Sequence, residues 1–307
     1  MARPPRHLPR PGCLVEVTVR TAHSRYLLRP SRALNRTFVG CLGRAMELYP
    51  VRLHAVVVMS THFHLLLSPE NSQQLAQFMG HFNGNLSKKV GRLHSWSGSM
   101  FERRYQCIPI SDEPAAQQDR LRYLLQHGSK EGLVLSPRDW PGVHSAKALC
   151  SGQAIQGAWI HRTNYWRARN RGDDVTPSEF GTDYEIHLEP LPCWAHLDEA
   201  VWRRFVREMV HEIERETRAQ HQRHQTAPAG ATSVCQRHPH YSSGRQKRSP
   251  PPLVHAATSS MRATMREAHS LFLSAYRYAT EQVKAGVRSV SFPPDCFPAR
   301  LPYSAPA

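Results

Sequence analysis

The sequence has no paired cysteines. Its seven, Cys13, Cys41, Cys107, Cys150, Cys193, Cys235 and Cys296, are scattered, odd in number and never spaced as CxxC. That argues against a disulfide framework and against a cysteine-based zinc site. No run approaches the roughly 20 apolar residues that a membrane-spanning helix needs, so no membrane partner is expected. The opening MARPPRHLPRPG is basic, but no apolar stretch follows it. No secretory signal is read, and the cytoplasm is the expected compartment. Lysine is scarce too: it supplies six of the 40 basic residues and arginine the rest. Against 24 acidic residues the formal net charge is +16. A balance of that sign favours polyanionic partners, because each neutralised phosphate releases counterions. An arginine bias also follows from a GC-rich coding sequence, so charge alone leaves nucleic acid as one candidate. No internal repeat is present.

The 307 residues, 40% of them hydrophobic, are enough for one core domain with additions. Residues 14–19, LVEVTV, alternate and predict a strand with Val15, Val17 and Val19 inward. Asn35 is placed to cap a helix carrying Phe38, Leu42 and Met46. Residues 52–58 and 62–68 predict two strands of a hairpin across Met59-Ser60-Thr61. Ser72 is placed to cap a second helix, with Leu75, Phe78, Met79, Phe82, Leu86 and Val90 at helical spacing. RRYQCIPI predicts a fourth strand, and residues 114–127 a third helix that opens on Pro114 and stops at Gly128. The order βαββαβα fits an α+β fold of ferredoxin-like type, an antiparallel sheet with helices on one face, over about residues 10–150. Residues 151–218 predict a helical extension, anchored by an amphipathic helix from Asp198 with Trp202, Phe205, Met209 and Ile213 on one face. Residues 219–258, rich in Gln, His, Ser, Pro and Arg, predict a flexible linker. Residues 259–307 predict a last helix with Met261, Met265, Phe272 and Tyr276, then a proline-rich tail.

The sharpest local feature is His62-Phe63-His64 inside an apolar strand. Strand side chains alternate, so the two imidazoles share a face roughly 6.6 Å apart, a spacing at which they can ligate one divalent metal. The plain alternative is a pair of half-buried histidines packed against a helix. CQRHPH, residues 235–240, lacks a second ligand pair and is read as linker.

Three blocks taken in order resemble the single-tyrosine HUH transposases, in the branch that includes the REP-associated tyrosine transposases. The first is VVVMSTHFHLLL, where His62-Phe63-His64 stands as the His-hydrophobic-His motif; the lead-in Met59-Ser60-Thr61 departs from the usual Met-Pro-Asn. The second is FERRYQCIPISD, residues 101–112. The third is RYLLQHGSKEGLVLSPRDWPGVHSA, residues 122–146, in which Tyr123, Gly132-Leu133-Val134 and Asp139-Trp140-Pro141 match the tyrosine helix and the segment after it. The resemblance covers about the first half of the chain. It implies that His62 and His64 are metal ligands and that Tyr123 is the nucleophile. The family position four residues after the tyrosine often carries Asn or Gln and completes the metal site; here it is His127. Residues i and i+4 share a helix face, so His127 is read as the third ligand. Its alternative is a residue of the last helical turn near the helix dipole. Tyr105 is the second candidate nucleophile.

The resemblance implies an endonuclease and strand transferase, a transposase for DNA recombination, working through a 5′-phosphotyrosine. It also implies Mg²⁺ or Mn²⁺ as cofactor, with zinc as an alternative for three imidazoles. Its partner would be single-stranded or hairpin DNA. Lys88, Lys89, Arg92, Arg103 and Arg104 are the candidate phosphate contacts, or else a solvated charged face; Trp96 and Phe101 are candidate base-stacking residues. Relatives occur as monomers and as dimers, so a homodimer is one arrangement the resemblance admits. Two other readings stay open: a nucleic-acid-binding protein without catalysis on the same fold, and a three-histidine metal hydrolase.

Overall fold

The computed structural model describes residues 7–242, 244, 253–287, 289–294 and 296. The remainder of the expected linker and of the proline-rich tail lies outside the described residues. The first half follows the expected order: β1 (Val15–Arg20), α1 (Arg32–Leu48), β2 (Arg52–Val58), β3 (His62–Ser68), α2 (Ser72–Leu93), β4 (Gln106–Pro109) and α3 (Pro114–Leu125). The four strands form one antiparallel sheet in the order β2-β3-β1-β4. Two caps lie earlier than expected, by four residues in α1 and by one in α2. Ser31, not Asn35, caps α1 by accepting the Leu34 N–H; Asn71, not Ser72, caps α2 by accepting the Gln74 N–H. Asn35 lies inside α1 and donates to the Pro141 carbonyl instead.

The sheet separates two chemistries by the alternation of its side chains. Phe63 meets Phe38 of α1 and Phe82 of α2, at ring-centroid distances of 5.3 and 5.5 Å. Val15, Val17, Val19, Leu65 and Leu67 are buried with them. The opposite face carries Thr18 paired with His64 and Arg20 paired with His62 in register. Here the structure departs from the expectation of helices on one face. The Tyr123 and His127 rings at the end of α3 pack against His64, so α1 and α2 cover the apolar face while α3 covers the polar one.

The second half holds more structure than its composition suggests. After α4 (Ser145–Ser151), strands β5 (Ile155–Ile160) and β6 (Gly181–Ile186) form an antiparallel hairpin around α5 (Arg162–Asn170). The helical extension expected for 151–218 is therefore corrected to a hairpin followed by one long helix. The hairpin lies on α1 so closely that a Cβ added at Gly40 would stand 1.9 Å from the Ala158 carbonyl oxygen. The long helix, α6, runs Glu199–His224 with Trp202, Val206, Val210, Ile213 and Thr217 buried. It clasps the tyrosine helix: Arg122 pairs with Glu212 at 3.0 Å and Glu216 at 2.7 Å.

The linker expectation is corrected over its described part. α7 (Gly230–Gln236) is helical, and the segment after it is tied to the core. His240 hydrogen-bonds the His94 carbonyl at 2.9 Å, the Ser242 hydroxyl donates to the His23 carbonyl, and the Tyr26 N–H donates to the Tyr241 carbonyl. Side chains reaching core carbonyls, with one backbone pair, hold this segment, and neither leaves a periodic signal in the sequence. The last helix, α8 (Ser259–Lys284), is capped by Thr258, whose own N–H and hydroxyl are held by Glu113. Later segments also reach both edges of the sheet. His255 exchanges backbone hydrogen bonds with Pro109 and Ser111 beside β4; Val143 accepts from Val58, and Glu189 donates to Leu53, beside β2. None of the described helices is long and apolar enough to cross a membrane.

Candidate metal centre and nucleophile

The β1–β3 register brings His62 and His64 to the polar face, and the turn after α3 brings His127 over them. Ring centroids lie 5.0 Å apart for His62 and His64, 4.5 Å for His64 and His127, and 5.7 Å for His62 and His127. One ligand atom from each falls within 4.8 Å of the others.

Hydrogen bonds fix which nitrogen each ring presents. His127 Nδ1 donates to the carbonyls of Tyr123, at 2.9 Å, and Leu124, at 3.2 Å; two acceptors leave it no choice of tautomer. His64 Nδ1 stands 2.7 Å from a carboxylate oxygen of Glu16, and His62 Nδ1 is 2.9 Å from the Thr61 hydroxyl. The Nε2 atoms are thereby left to point inward. That of His64 is buried and has no hydrogen-bond partner. An orphaned lone pair of that kind is costly unless something accepts it, and a divalent cation fits a set of three neutral imidazoles. Burial, reinforced by its two neighbours, pushes the His62 imidazole well below its ordinary value. Burial and His64 push His127 down to about 2. His62 and His127 thus lie in a place that favours neutral, ligating histidine over imidazolium.

His127 reconciles its two readings. It lies two residues past the end of α3 and its ring donates to the Tyr123 and Leu124 carbonyls of that helix's last turn, which satisfies terminal helix acceptors. In the same conformation its ring faces the histidine pair.

Tyr123 lies beside this group. Its ring is 4.9 Å from that of His127 and 6.1 Å from that of His64. Two cations address it: the Lys130 ammonium at 3.8 Å from the ring centroid and the Arg120 guanidinium at 4.3 Å. Burial and the Glu16 charge push its phenol above the ordinary value, against the opposing effect of Arg120. Tyr105, the second candidate, is buried in the core cluster.

The expected phosphate contacts divide. Lys88 and Arg92 are exposed and line a shallow depression with Ser95, Trp96 and Gly98. Arg103 and Arg104 are exposed in the turn before β4. Lys89 is different: it donates to the Ile160 carbonyl at 2.8 Å and covers the Trp159 ring at 4.1 Å, so it fastens the β5–β6 hairpin to α2. Of the two candidate stacking residues, Trp96 is engaged by Arg25 and His240, and Phe101 packs towards Phe63.

Three residues of this site escaped the sequence reading. Glu16 is 1% exposed, Arg120 binds it, and Lys130 covers Tyr123. Burial alone would raise the Glu16 carboxyl, but His64 and Arg120 hold it at about 2. The one available signal was a carboxylate set between two valines on a strand whose polar face had to meet the histidine pair.

Comparison with known proteins bears on the same segment. No curated protein matches the chain. Among solved structures, the chain is similar to a REP-associated tyrosine transposase bound to a REP hairpin, at 16% identity and a TM-score of 0.39, over 50% of this chain and 87% of that one. It is also similar to a protein from Deinococcus radiodurans R1 described as a transposase, at 16% identity and a TM-score of 0.29, over 39% and 95%. The model of the family described as "Transposase IS200 like" matches residues 17–123, from β1 to the candidate nucleophile. Over that span the chain is similar to the IS200-like transposase family.

Proposed function

We propose that this protein is a metal-dependent endonuclease and strand transferase for single-stranded, hairpin-bearing DNA, and that it acts through a 5′-phosphotyrosine. The observation that carries the reading is the convergence of His62, His64 and His127, each with Nδ1 already engaged, beside the Tyr123 ring. Those three imidazoles would hold the ion, Mg²⁺ or Mn²⁺ in the family's manner, although three nitrogens suit zinc as well. Such an ion supplies Lewis-acid polarisation of a phosphate oxygen.

The protein's own residues supply the rest. The Tyr123 oxygen bonds to the scissile phosphorus and its phenol proton is released. The bond from phosphorus to the 3′ oxygen breaks, and that oxygen takes up a proton to become a free 3′-hydroxyl. The phosphodiester energy stays in the tyrosyl ester, so a second strand end can reverse the step. Lys130 and Arg120 keep positive charge beside the ring to which the phosphate must come. Lys88, Arg92, Arg103 and Arg104 are the residues proposed to hold the backbone.

The test is incubation of the full chain with a single-stranded hairpin oligonucleotide and Mn²⁺, followed by denaturing electrophoresis. A covalent protein–DNA adduct is expected from the wild type and none from Tyr123→Phe. Cleavage that proceeds equally well in Tyr123→Phe, with no adduct, would favour a hydrolase using water. Binding without either product would leave a nucleic-acid-binding protein.

A further inference from the structure

Glu16 occupies the centre of the buried polar face, and its two oxygens point to different partners. Oε1 accepts from His64 Nδ1 at 2.7 Å and from the Thr18 hydroxyl at 3.3 Å. Oε2 accepts from Arg120 at 2.5 Å. The Arg120 guanidinium in turn lies 4.3 Å from the centroid of the Tyr123 ring. One carboxylate therefore joins the middle member of the histidine cluster to the nucleophile, through a side chain on α3 one turn before Tyr123.

We propose, resting on the function argued above, that Glu16 is a positioning residue that holds the metal ligand His64 and the nucleophile Tyr123 in one frame. A carboxylate on the far nitrogen of a ligating histidine fixes its tautomer and ring orientation. Here the same carboxylate also fixes the cation against which the tyrosine ring rests. The two functions need two acceptor oxygens, and the amide of Glu16→Gln has one. If that oxygen turns to Arg120, the amide NH₂ faces His64 Nδ1. The ring then takes the opposite tautomer, with a proton on Nε2 where the ion must bind. If the oxygen turns to His64, the NH₂ faces the Arg120 donors and the guanidinium leaves the tyrosine. Either orientation breaks one arm. Asp at this position is shorter by one methylene and cannot reach both partners from the same backbone.

The test separates the arms by two measurements on the full chain. The first is Mn²⁺ affinity without DNA, by calorimetry. The second is the single-turnover rate of adduct formation at saturating Mn²⁺. Glu16→Gln is expected to weaken Mn²⁺ binding by about 10- to 100-fold, the usual effect of losing an outer partner of a ligating histidine. It should also slow adduct formation when metal is saturating. Arg120→Met, which leaves the hydrogen bond between Glu16 and His64 intact, is expected to slow adduct formation while Mn²⁺ affinity stays near wild type. The Nδ1–H tautomer of His64, read by ¹⁵N NMR, is expected to persist in Arg120→Met and to be absent or mixed in Glu16→Gln. Should Glu16→Gln not fold because Arg120 is left as a buried unpaired charge, the neutral pair Glu16→Gln with Arg120→Gln is measured in its place, with the same expectation for both readouts. A folded variant lacking the Glu16 carboxylate that keeps both Mn²⁺ affinity and saturated rate overturns the proposal. A wild-type chain that binds no Mn²⁺ and forms no adduct overturns the functional reading instead, which keeps the two failures distinct.

Discussion

His54 sits in the β2 strand where its register against β3 shifts between Leu53 and Ala55. Its side chain is 2% exposed. Nδ1 donates to the Pro190 carbonyl at 2.7 Å and Nε2 meets the Ser68 hydroxyl at 2.9 Å, so the ring is held neutral with both nitrogens satisfied. Burial pushes its pKa from 6.5 down to about 4, against the raising effect of the two carbonyls. In the unfolded chain the ring protonates near 6.5, while in the folded protein it does so only near 4. The neutral ring thus contributes stability that is fully present above pH 6.5 and is lost as the pH falls through 4. Working the linkage between those two values, about 2 kcal/mol is lost by pH 5 and about 3 kcal/mol by pH 4. The assay is urea unfolding of wild type and His54→Gln at pH 7.5 and pH 5.0. Glutamine can donate to Pro190 and accept from Ser68 without titrating, so the wild-type loss between the two pH values should exceed that of the variant by about 2 kcal/mol. Other buried histidines contribute equally to both chains and cancel. An identical pH dependence in the two chains would refute the reasoning.

Three further outcomes are expected. His127→Ala should weaken Mn²⁺ binding and slow adduct formation together, with part of the rate restored by excess Mn²⁺, while His127→Asn should be milder; calorimetry and single-turnover kinetics read both, and an alanine variant with wild-type Mn²⁺ affinity would remove His127 from the ligand set. Lys88→Ala with Arg92→Ala should flatten the salt dependence of single-strand binding, by a slope of about 0.7 for each phosphate no longer neutralised, whereas Lys89→Ala should lower stability and leave that slope unchanged; fluorescence titrations from low to high salt decide. Gly40→Val should destabilise the protein by about 1–3 kcal/mol or more, because the added Cβ meets the β5 backbone rather than a movable side chain; denaturant midpoints unchanged from wild type would mean that the hairpin does not press on α1.

The order βαββαβα was legible because every element of the first half carries a period. Phe63, Leu65 and Leu67 alternate, and Leu75, Phe78, Met79 and Phe82 recur at helical spacing. His62, His64 and Tyr123 were legible through their motifs, and the helical spacing from Tyr123 to His127 placed the third imidazole. Glu16 was not, because polar residues on an alternating strand ordinarily face water, and only the packing of α3 onto that face buries it. The face that α3 covers was missed for the same reason. The β5–β6 hairpin was missed because its strands mix Gly, Asp and Glu with single aromatics, and its stabilising contact is a backbone approach to Gly40 that leaves no pattern. Lys89 resembled a phosphate contact by composition, but its partner is a carbonyl 71 residues away.

The covered sheet edges have a consequence for how this protein can be taken apart. The span that matches the transposase family ends at Tyr123, yet the strands that bound it are closed by Val143 and Glu189 on one side and by His255 on the other. A fragment cut to the family limits would present two open ladders of unpaired amides and carbonyls, and its β2 edge belongs to a strand buried along most of its length. Open, apolar ladders of that kind recruit other chains. The recognisable part of the sequence is therefore not a separable module, and gel filtration of residues 17–123 alone should show association or precipitation where the full chain stays discrete.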